Sequence, residues 1–409
     1  MKSNKKRKPG GQKGHKGYKL KKIEQIDHRV IHKLTNCPEC GSLDLKVKGK
    51  VSRQVIDIPE PVYEVTEHEM WKYECQCCHN KIEAGSEMGL SQVAQYGLRL
   101  KSLVSYLNVY HIIPYKRLSE IVDHLYGLPI SQGTISNFNK ELQGKLQPFK
   151  EAVKSKFQNE AKILHSDETG CMVNKKLHWT HVYSDSMKTL LFGHEKRGKV
   201  AMEAIEILSQ TNATVIHDRF GSYLKFDTLE HGLCNAHILR ELTAIKDDAP
   251  DSWPEKIQEL LLSAKKKKEQ KGLASRQITL YVNKFVSILR SQRLHYQKIE
   301  NQIKRETKRG KPKRTKDHNL YLALWKYRNP VFKFITDPLV PFDNYQAERD
   351  LRMLKIKIKV SNQFKRKEWL IAFLDIRSYV STAIKQNRDV FDSILMAYQN
   401  PALTAQLAV

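Results

Sequence analysis

Residues 163–170 read ILHSDETG, and residues 213–221 read ATVIHDRFG. In each stretch an apolar run typical of a buried strand ends in an aspartate, Asp167 in the first and Asp218 in the second. Carboxylates at the ends of adjacent strands can converge on two divalent cations about 3.5–4 Å apart, and their hard oxygens favour Mg²⁺ or Mn²⁺. Aspartates are also common turn residues, so these two stretches alone leave a purely structural role open.

A third acid stands much later in the chain. Residues 342–352 (FDNYQAERDLR) open a predicted helix, with Asp343 or Asn344 as its N-cap. Glu348 of this helix can face the metals while a nearby arginine binds a phosphate. A surface Glu–Arg pair at i,i+4 is the alternative interpretation. The residues within about one turn of each other are Glu348, Arg349 and Arg352.

Two neighbours of the first aspartate compete for its role. Glu168 directly follows Asp167, and because neighbouring strand residues point to opposite faces, only one of them should reach the metals. His165 shares the face of Asp167 and is interpreted as an ordinary strand residue. Cys234-Asn-Ala-His237 follows Asp218 by 16 residues. A second zinc site there needs two further ligands, so a buried thiol with a helix-start histidine is the favoured interpretation.

Strands and helices alternate around these acids, which predicts an α/β core. Strands are predicted at 162–167, 177–184, 189–194 and 213–218, and helices at 200–209 and after Cys234.

Two cysteine pairs lie upstream, Cys37-Pro-Glu-Cys40 and Cys75-Gln-Cys77-Cys78. A CxxC turn can point both sulfurs at one tetrahedral ion, so the pairs predict a structural zinc held by Cys37, Cys40, Cys75 and Cys78. Cys77 is a spare thiol that can replace Cys78. Alternating stretches around the pairs, at 51–58 and 63–68, predict a small β-rich module.

A helical region follows at residues 91–148. An apolar face over 118–125 ends at Gly-Leu-Pro, residues 127–129, and Ser131 is predicted to cap the next helix. Helix, short turn and helix is the outline of a helix-turn-helix, and an ordinary helical hairpin fits equally well.

The chain is strongly basic, with 71 Lys+Arg against 44 Asp+Glu and a formal net charge of +27. This excess favours a polyanionic partner such as double-stranded DNA. Residues 1–22 hold ten basic residues and no acid, which predicts a flexible arm, and residues 304–316 hold eight and predict an exposed loop. The candidate DNA contacts are Lys5, Lys6, Arg7, Lys8, Arg305, Lys311, Arg314, Arg349 and Arg352.

No run of about 18 apolar residues predicts a membrane span. The basic start also lacks the apolar stretch of a secretory signal. A cytoplasmic, nucleoid-associated protein is therefore expected, in which cysteines are metal ligands or buried thiols.

Taken together, the strings SDETG, HDRFGSY, CNAH with LREL, and AERDLR resemble the insertion-sequence-66 family of DDE transposases. The cysteine module and the upstream GGQKGHKG resemble that family's zinc-binding segment and basic linker. The resemblance implies an RNase H-like catalytic core with a helical insertion between the second and third acids. It also implies that Asp167, Asp218 and Glu348 are the metal ligands. The family's paired asparagines stand here as Asn344-Tyr345, so one of them is replaced.

The sequence therefore predicts a transposase that cleaves DNA at the ends of an insertion element and transfers the strands, as a homo-oligomer on DNA. An RNase H-fold nuclease or resolvase without strand transfer is one alternative, and a catalytically dead zinc-containing DNA-binding derivative is another. The predicted regions are a basic arm (1–29), a zinc-binding module (30–88), a helix-turn-helix-like region (89–150), the first part of the core (158–250), a basic helical insertion (251–338) and the last part of the core (339–409).

Overall fold

The computed structural model describes residues 20–59, 62–84, 93–246, 252–306 and 314–408. The chain divides into two units, Met1–Glu64 and Val65–Val409.

The described part of the first unit contains a turn but no helix or strand. The turn surrounds the first cysteine pair: the Gly41 amide donates to the Cys37 carbonyl at 2.8 Å, and Gly41 adopts φ +75°. The prediction of a strand at 51–58 is wrong. Alternating side chains stabilise a strand only when one face is covered, and Val51 and Val55 are about nine-tenths exposed.

The second cysteine pair lies in a short hairpin of the second unit. Strand β1 (Lys72–Glu74) pairs antiparallel with β2 (Lys81–Glu83), and the pair occupies the connection. The prediction of a strand at 63–68 is wrong for its described residues, which form none.

Four helices follow: α1 (Leu98–Ser105), extended by a π-helical turn at Tyr106–Tyr110, α2 (Tyr115–Tyr126), α3 (Gln132–Lys145) and α4 (Gln147–Asn159). Gly127 ends α2 in the left-handed conformation at φ +63°, as glycine does at many helix C-termini. Ser131 caps α3 as predicted, because its hydroxyl accepts from the Thr134 amide at 3.0 Å. Helices α2 and α3 pack together around Leu118, Val122 and Ile135.

A five-stranded sheet forms the centre of the second unit. Its strands are β3 (Ile163–Val173), β4 (Lys176–Ser184), β5 (Thr189–His194), β6 (Thr214–His217) and β7 (Glu230–Leu233). They lie in the order β5-β4-β3-β6-β7, with β3, β4 and β5 antiparallel and β3, β6 and β7 parallel.

Strand β3 is longer than predicted. It continues to Val173 and turns into β4 through Asn174 and Lys175, both at positive φ, as a tight hairpin requires. Strand β7 was not predicted, because its sequence EHGL contains a charge and a glycine.

Helices from before, between and after the strands surround the sheet. Helix α5 (Lys199–Ile205) connects β5 to β6, and α6 (Asn235–Lys246) follows β7. The main core lies between the sheet, α4 and helices of the C-terminal region. The C-terminal elements are α12 (Tyr345–Ser361), α13 (Lys367–Lys385), α14 (Val390–Gln399) and a 3₁₀ segment (Pro401–Ala408).

A second core lies among the helices between residues 253 and 336. It reaches the sheet through Ile216 and Leu233. Residues 304–306, expected in an exposed loop, are the end of a helix, and 307–313 lie outside the described residues. The helices are α7 (Trp253–Lys271), α8 (Ser275–Ser291), α9 (Arg293–Glu306), α10 (Lys316–Lys326) and α11 (Arg328–Thr336). None of the helices in the described ranges is both long and apolar enough to cross a membrane.

Candidate active site

Asp167 lies within β3, and Asp218 directly follows β6, the neighbouring parallel strand. The register pairs His165 of β3 with Ile216 of β6, so each aspartate stands two residues beyond that pair. Residues in register on parallel strands point to the same face, which gives the two carboxylates a common face. Both are partly exposed.

Burial and neighbouring negative charge disfavour ionisation of Asp167. The pKa of Asp167 is raised to about 7, chiefly by burial and in addition by the negative charges of Glu168 and Asp218. The Glu168 amide, which donates to the Asp167 carboxylate at 2.9 Å, and the more distant Lys355 oppose the shift. A cation bound between Asp167 and Asp218 would relieve this repulsion.

Replacing Asp167 by Asn is expected to raise the free energy of unfolding at pH 8 without added divalent ions. The folded pKa lies above the unfolded value of 3.8, so the ionised carboxylate opposes folding. That penalty is absent below about pH 4, grows as the pH rises to about 7 and is complete above it, at no more than about 4 kcal/mol.

Denaturant unfolding of Asp167→Asn and the parent protein at pH 5 and pH 8 measures the difference. The exposed Glu203, paired with Lys199, provides the control, since Glu203→Gln should show no gain at pH 8. An equal gain in the free energy of unfolding for Asp167→Asn at both pH values would contradict the raised pKa of the buried Asp167 carboxylate.

Glu168 is occupied on the other side of β3. Its side chain is fully buried and accepts hydrogen bonds from Arg197 at 2.9 Å and from the Tyr223 hydroxyl at 2.7 Å. Burial raises the pKa of Glu168, and these donors oppose the rise. Both carboxylate oxygens of Glu168 are therefore hydrogen-bonded within the fold. The sequence did not identify Arg197 and Tyr223 as its partners, because they lie 29 and 55 residues away from Glu168.

Asn344 ties the helix of the third acid to β3. It occupies the N-cap position of α12, but its side chain does not cap the helix. Instead its Nδ2 donates to the Ser166 carbonyl at 2.8 Å, and its Oδ1 pairs with His165 Nδ1 at 2.8 Å. Asn344 is 1% exposed, so these bonds are shielded from water. His165 thus has a partner on α12.

Glu348 stands one turn into α12 and has a histidine and an arginine as neighbours. Its Oε1 lies 3.9 Å from His237 Nδ1 and 3.8 Å from Arg240, and it is buried without a hydrogen-bond partner among the described residues. In the described part of the chain, the ligand atoms of the three acids do not all fall within 4.8 Å of one another. The structure places two of the acids together and gives Glu348 different immediate neighbours.

The arginines of α12 border a solvent-open cavity of about 300 Å³ together with Tyr345 and Glu348. Arg349 and Arg352 are both exposed, so their guanidinium groups are accessible to a phosphate. Lys355, one turn further, adds a third exposed cation.

The other candidate DNA contacts differ in their surroundings. Arg305 is exposed, whereas Arg314 donates to both oxygens of Glu300 at 2.6 and 2.8 Å and is less free to bind a phosphate. The remaining candidates lie outside the described residues: Lys5, Lys6, Arg7, Lys8 and Lys311.

Each cysteine pair forms its own local turn. The amides of Glu39 and Cys40 donate to the Cys37 sulfur and lower the pKa of that thiol. In the other pair, the side chain of Cys78, rather than that of the spare Cys77, contacts the Cys75 sulfur. Backbone amides lower the pKa of Cys75. Amides that stabilise a thiolate favour metal binding.

Comparison with known protein families adds an independent finding. A family model described as "Transposase IS66 family" matches residues 94–369, about two thirds of the chain. A second, described as "zinc-finger binding domain of transposase IS66", matches residues 35–79. No curated protein matches the chain. The first match spans the three acids, and the second spans both cysteine pairs.

Proposed function

Because this chain belongs to the IS66 family of transposases, we propose that it cleaves DNA at the ends of an insertion element and joins the freed strands to target DNA. Asp167, Asp218 and Glu348 are the proposed catalytic residues. The observation that carries the proposal is the placement of Asp167 within β3 and of Asp218 directly after β6, each two residues beyond the paired His165 and Ile216 of these neighbouring parallel strands. Glu348 joins them because Asn344, at the start of its helix, is hydrogen-bonded to β3.

An RNase H-like core is part of the same proposal. Three antiparallel strands followed by two parallel ones, in the order β5-β4-β3-β6-β7, support it. The first acid lies on the first strand of this sheet and the second follows the fourth. We assign 158–250 and 339–409 to this core, 251–338 to a helical insertion, 89–150 to a DNA-binding helical region, 30–88 to the zinc module and 1–29 to a basic arm.

The three acids fit Mg²⁺ or Mn²⁺ by their chemistry. They offer hard carboxylate oxygens. The raised pKa of Asp167 and the unpartnered Oε1 of Glu348 are the features expected of groups whose natural partner is a cation.

The proposed chemistry is in-line displacement at a DNA phosphate, first by water and then by the 3′-hydroxyl. Bound divalent ions supply charge neutralisation at the attacking and leaving oxygens. Asp167 and Asp218 would hold those ions from the sheet, and Glu348 would complete the set from α12. Arg349 and Arg352 bind and orient the DNA phosphates beside them. Since both steps are displacements at phosphorus, one set of carboxylates serves both.

A labelled duplex carrying the inverted repeats that flank the coding region tests this function. With Mg²⁺ we expect nicks at the repeat boundary and joined products with a target plasmid, and with EDTA neither. Cleavage without joining would replace the proposal with a nuclease or resolvase. Specific binding without chemistry would identify a catalytically dead DNA-binding derivative.

DNA is the proposed partner at several surfaces. The basic arm and the segment around Arg305 carry charge that neutralises phosphates without reading bases. A homo-oligomer that holds two element ends together is the proposed active form. Binding through these segments should weaken for all sequences alike as salt rises.

The zinc-finger domain leads to a prediction about metal content. We propose that Cys37, Cys40, Cys75 and Cys78 hold one zinc ion, as their spacing and the family match indicate. Changing Cys37 and Cys40 together to Ser should remove about one zinc per chain and weaken binding to element ends, since structural zinc supplies folding free energy.

Metal analysis of protein purified without chelators provides the measurement. Cys77→Ser is the matched control and should keep its zinc, because Cys78 is the thiol beside Cys75. Unchanged zinc content in the double variant would refute the ligand assignment.

A further inference from the structure

Three potential metal ligands of different chemistry meet between α6 and α12. The Cys234 sulfur lies 3.2 Å from His237 Nδ1, and that nitrogen lies 3.9 Å from Glu348 Oε1. The ligand atoms of all three lie within 4.8 Å of one another. A tetrahedral zinc ion with bonds of about 2.0–2.3 Å separates its ligand atoms by about 3.3–3.8 Å. The distances of 3.2 and 3.9 Å from His237 Nδ1 lie within about 0.1 Å of that range.

The Cys234 sulfur is held in place by the backbone. It is 1% exposed and stands at the start of α6, where the Asn344 amide donates to it at 3.2 Å. The amides of Ala236 and His237 donate to the same sulfur. These three donors fix the position of the sulfur, and they oppose the rise that burial gives the pKa of this thiol.

The Glu348 carboxylate supplies a second observation at this cluster. Its Oε1 is buried but has no hydrogen-bond partner among the described residues, and Arg240 at 3.8 Å is too far to donate one. A buried carboxylate oxygen without a partner is costly unless a cation binds it. The unpartnered oxygen lies next to the imidazole and the thiol.

We propose that Cys234, His237 and Glu348 form a second zinc site, separate from the cysteine-rich finger. Three protein ligands and a solvent molecule make an open tetrahedral site. Solvent reaches it because the side chains of His237 and Glu348 are 36% and 29% exposed. Thiolate and imidazole favour zinc over magnesium, whereas the aspartate pair offers oxygen alone.

The site shares Glu348 with the catalytic triad, and this consequence rests on the proposed function. Zinc bound by Cys234 and His237 withdraws Glu348 from the ions held by Asp167 and Asp218. Zinc therefore inhibits magnesium-dependent cleavage, and the open cavity beside Glu348 gives the ion access. Through Cys234 and His237, zinc thus reduces the amount of Glu348 that is available for catalysis.

Cobalt tests the site without any requirement for DNA chemistry. The full-length chain is first loaded with one zinc at the finger, then titrated with Co²⁺ while the thiolate-to-cobalt absorption in the near ultraviolet is followed. We expect saturation at one cobalt per chain. Cys234→Ser and His237→Asn should weaken binding by more than about 100-fold, because even outer-shell changes around a metal cost 10–100-fold.

Cys171→Ala provides the matched control. Cys171 is also a buried thiol, but its hydroxyl neighbour is Thr180 and it lies outside the cluster. This variant should bind cobalt normally. The proposed site is overturned if the zinc-loaded protein shows no thiolate-to-cobalt absorption. It is also overturned if Cys234→Ser and His237→Asn both bind cobalt as well as Cys171→Ala does.

Cleavage assays separate the inhibitory role from the site itself. With Mg²⁺ fixed, added zinc should inhibit the parent and Cys171→Ala, and should inhibit His237→Asn only at concentrations more than about 100-fold higher. A normal cobalt spectrum in a protein that never cleaves DNA would overturn the proposed function and leave the site intact. DNA cleavage by a protein that shows no thiolate-to-cobalt absorption would overturn the zinc site and leave the proposed function intact.

Discussion

Asp167→Asn, Asp218→Asn and Glu348→Gln are each expected to lower DNA cleavage and strand transfer by about 10³-fold or more. Each change removes one negative charge and nearly keeps the shape of the side chain, so the effect reports on the metal site rather than on packing. Both reactions should fall together, because one set of carboxylates serves the attack by water and the attack by the 3′-hydroxyl. Binding to element ends should persist, since repulsion from phosphate is reduced.

The choice of control follows from the structure. Glu168→Gln is the adjacent substitution, but Glu168 is buried and bound to Arg197 and Tyr223, so its loss should lower stability by about 1–3 kcal/mol. Glu203→Gln on α5 removes an exposed charge and is the cleaner comparison.

A labelled end substrate, assayed at matched occupancy and matched folded fraction, provides the measurement. Near-normal cleavage in any of the three variants would remove that residue from the triad. Loss of cleavage in Glu168→Gln together with retention in Asp167→Asn would move the first metal ligand by one position.

The strands at the two aspartates could be predicted from the apolar runs with which they begin, whereas the continuation of β3 beyond Asp167 to Val173 could not. Ile163–Asp167 and Val215–Asp218 need no distant information to be recognised, since a buried parallel strand is apolar on both faces. Strand β7 has no such run, and it forms because β6 offers it a free edge. The strand expected at 51–58 is absent for the opposite reason: its alternating residues lack a covering surface.

The surroundings of the third acid could not be predicted from local pattern. Asn344 meets Ser166 across 178 residues, and Glu348 meets His237 across more than 100. Residue type alone predicted that Asp343 or Asn344 would cap α12, because both aspartate and asparagine are favoured N-caps. The competing carbonyl of Ser166 and the ring of His165 use its side chain instead. A sequence motif predicted a role for Glu348, but its neighbours His237 and Arg240 are known only from the folded structure.

Asn344→Ala should reduce cleavage by about 100-fold while DNA binding remains. The substitution leaves the Ser166 carbonyl and His165 without their partner and frees the start of α12 from β3. A displacement of about 1 Å in a catalytic group can cost about 100-fold in rate. Because Glu348 follows on the first turn of α12, Asn344 acts as a positioning residue for that acid.

A stability loss alone would produce a different result, and Asn139→Ala supplies the comparison. Asn139 is another buried asparagine, and its Nδ2 donates to Asn108 at 2.7 Å, far from the acids in the sequence. Both variants should lose about 1–3 kcal/mol of stability. Only Asn344→Ala should raise the Mg²⁺ concentration required for half-maximal cleavage, because only there does a metal ligand move. Equal magnesium dependence in the two variants would show that Asn344 stabilises the fold without positioning Glu348.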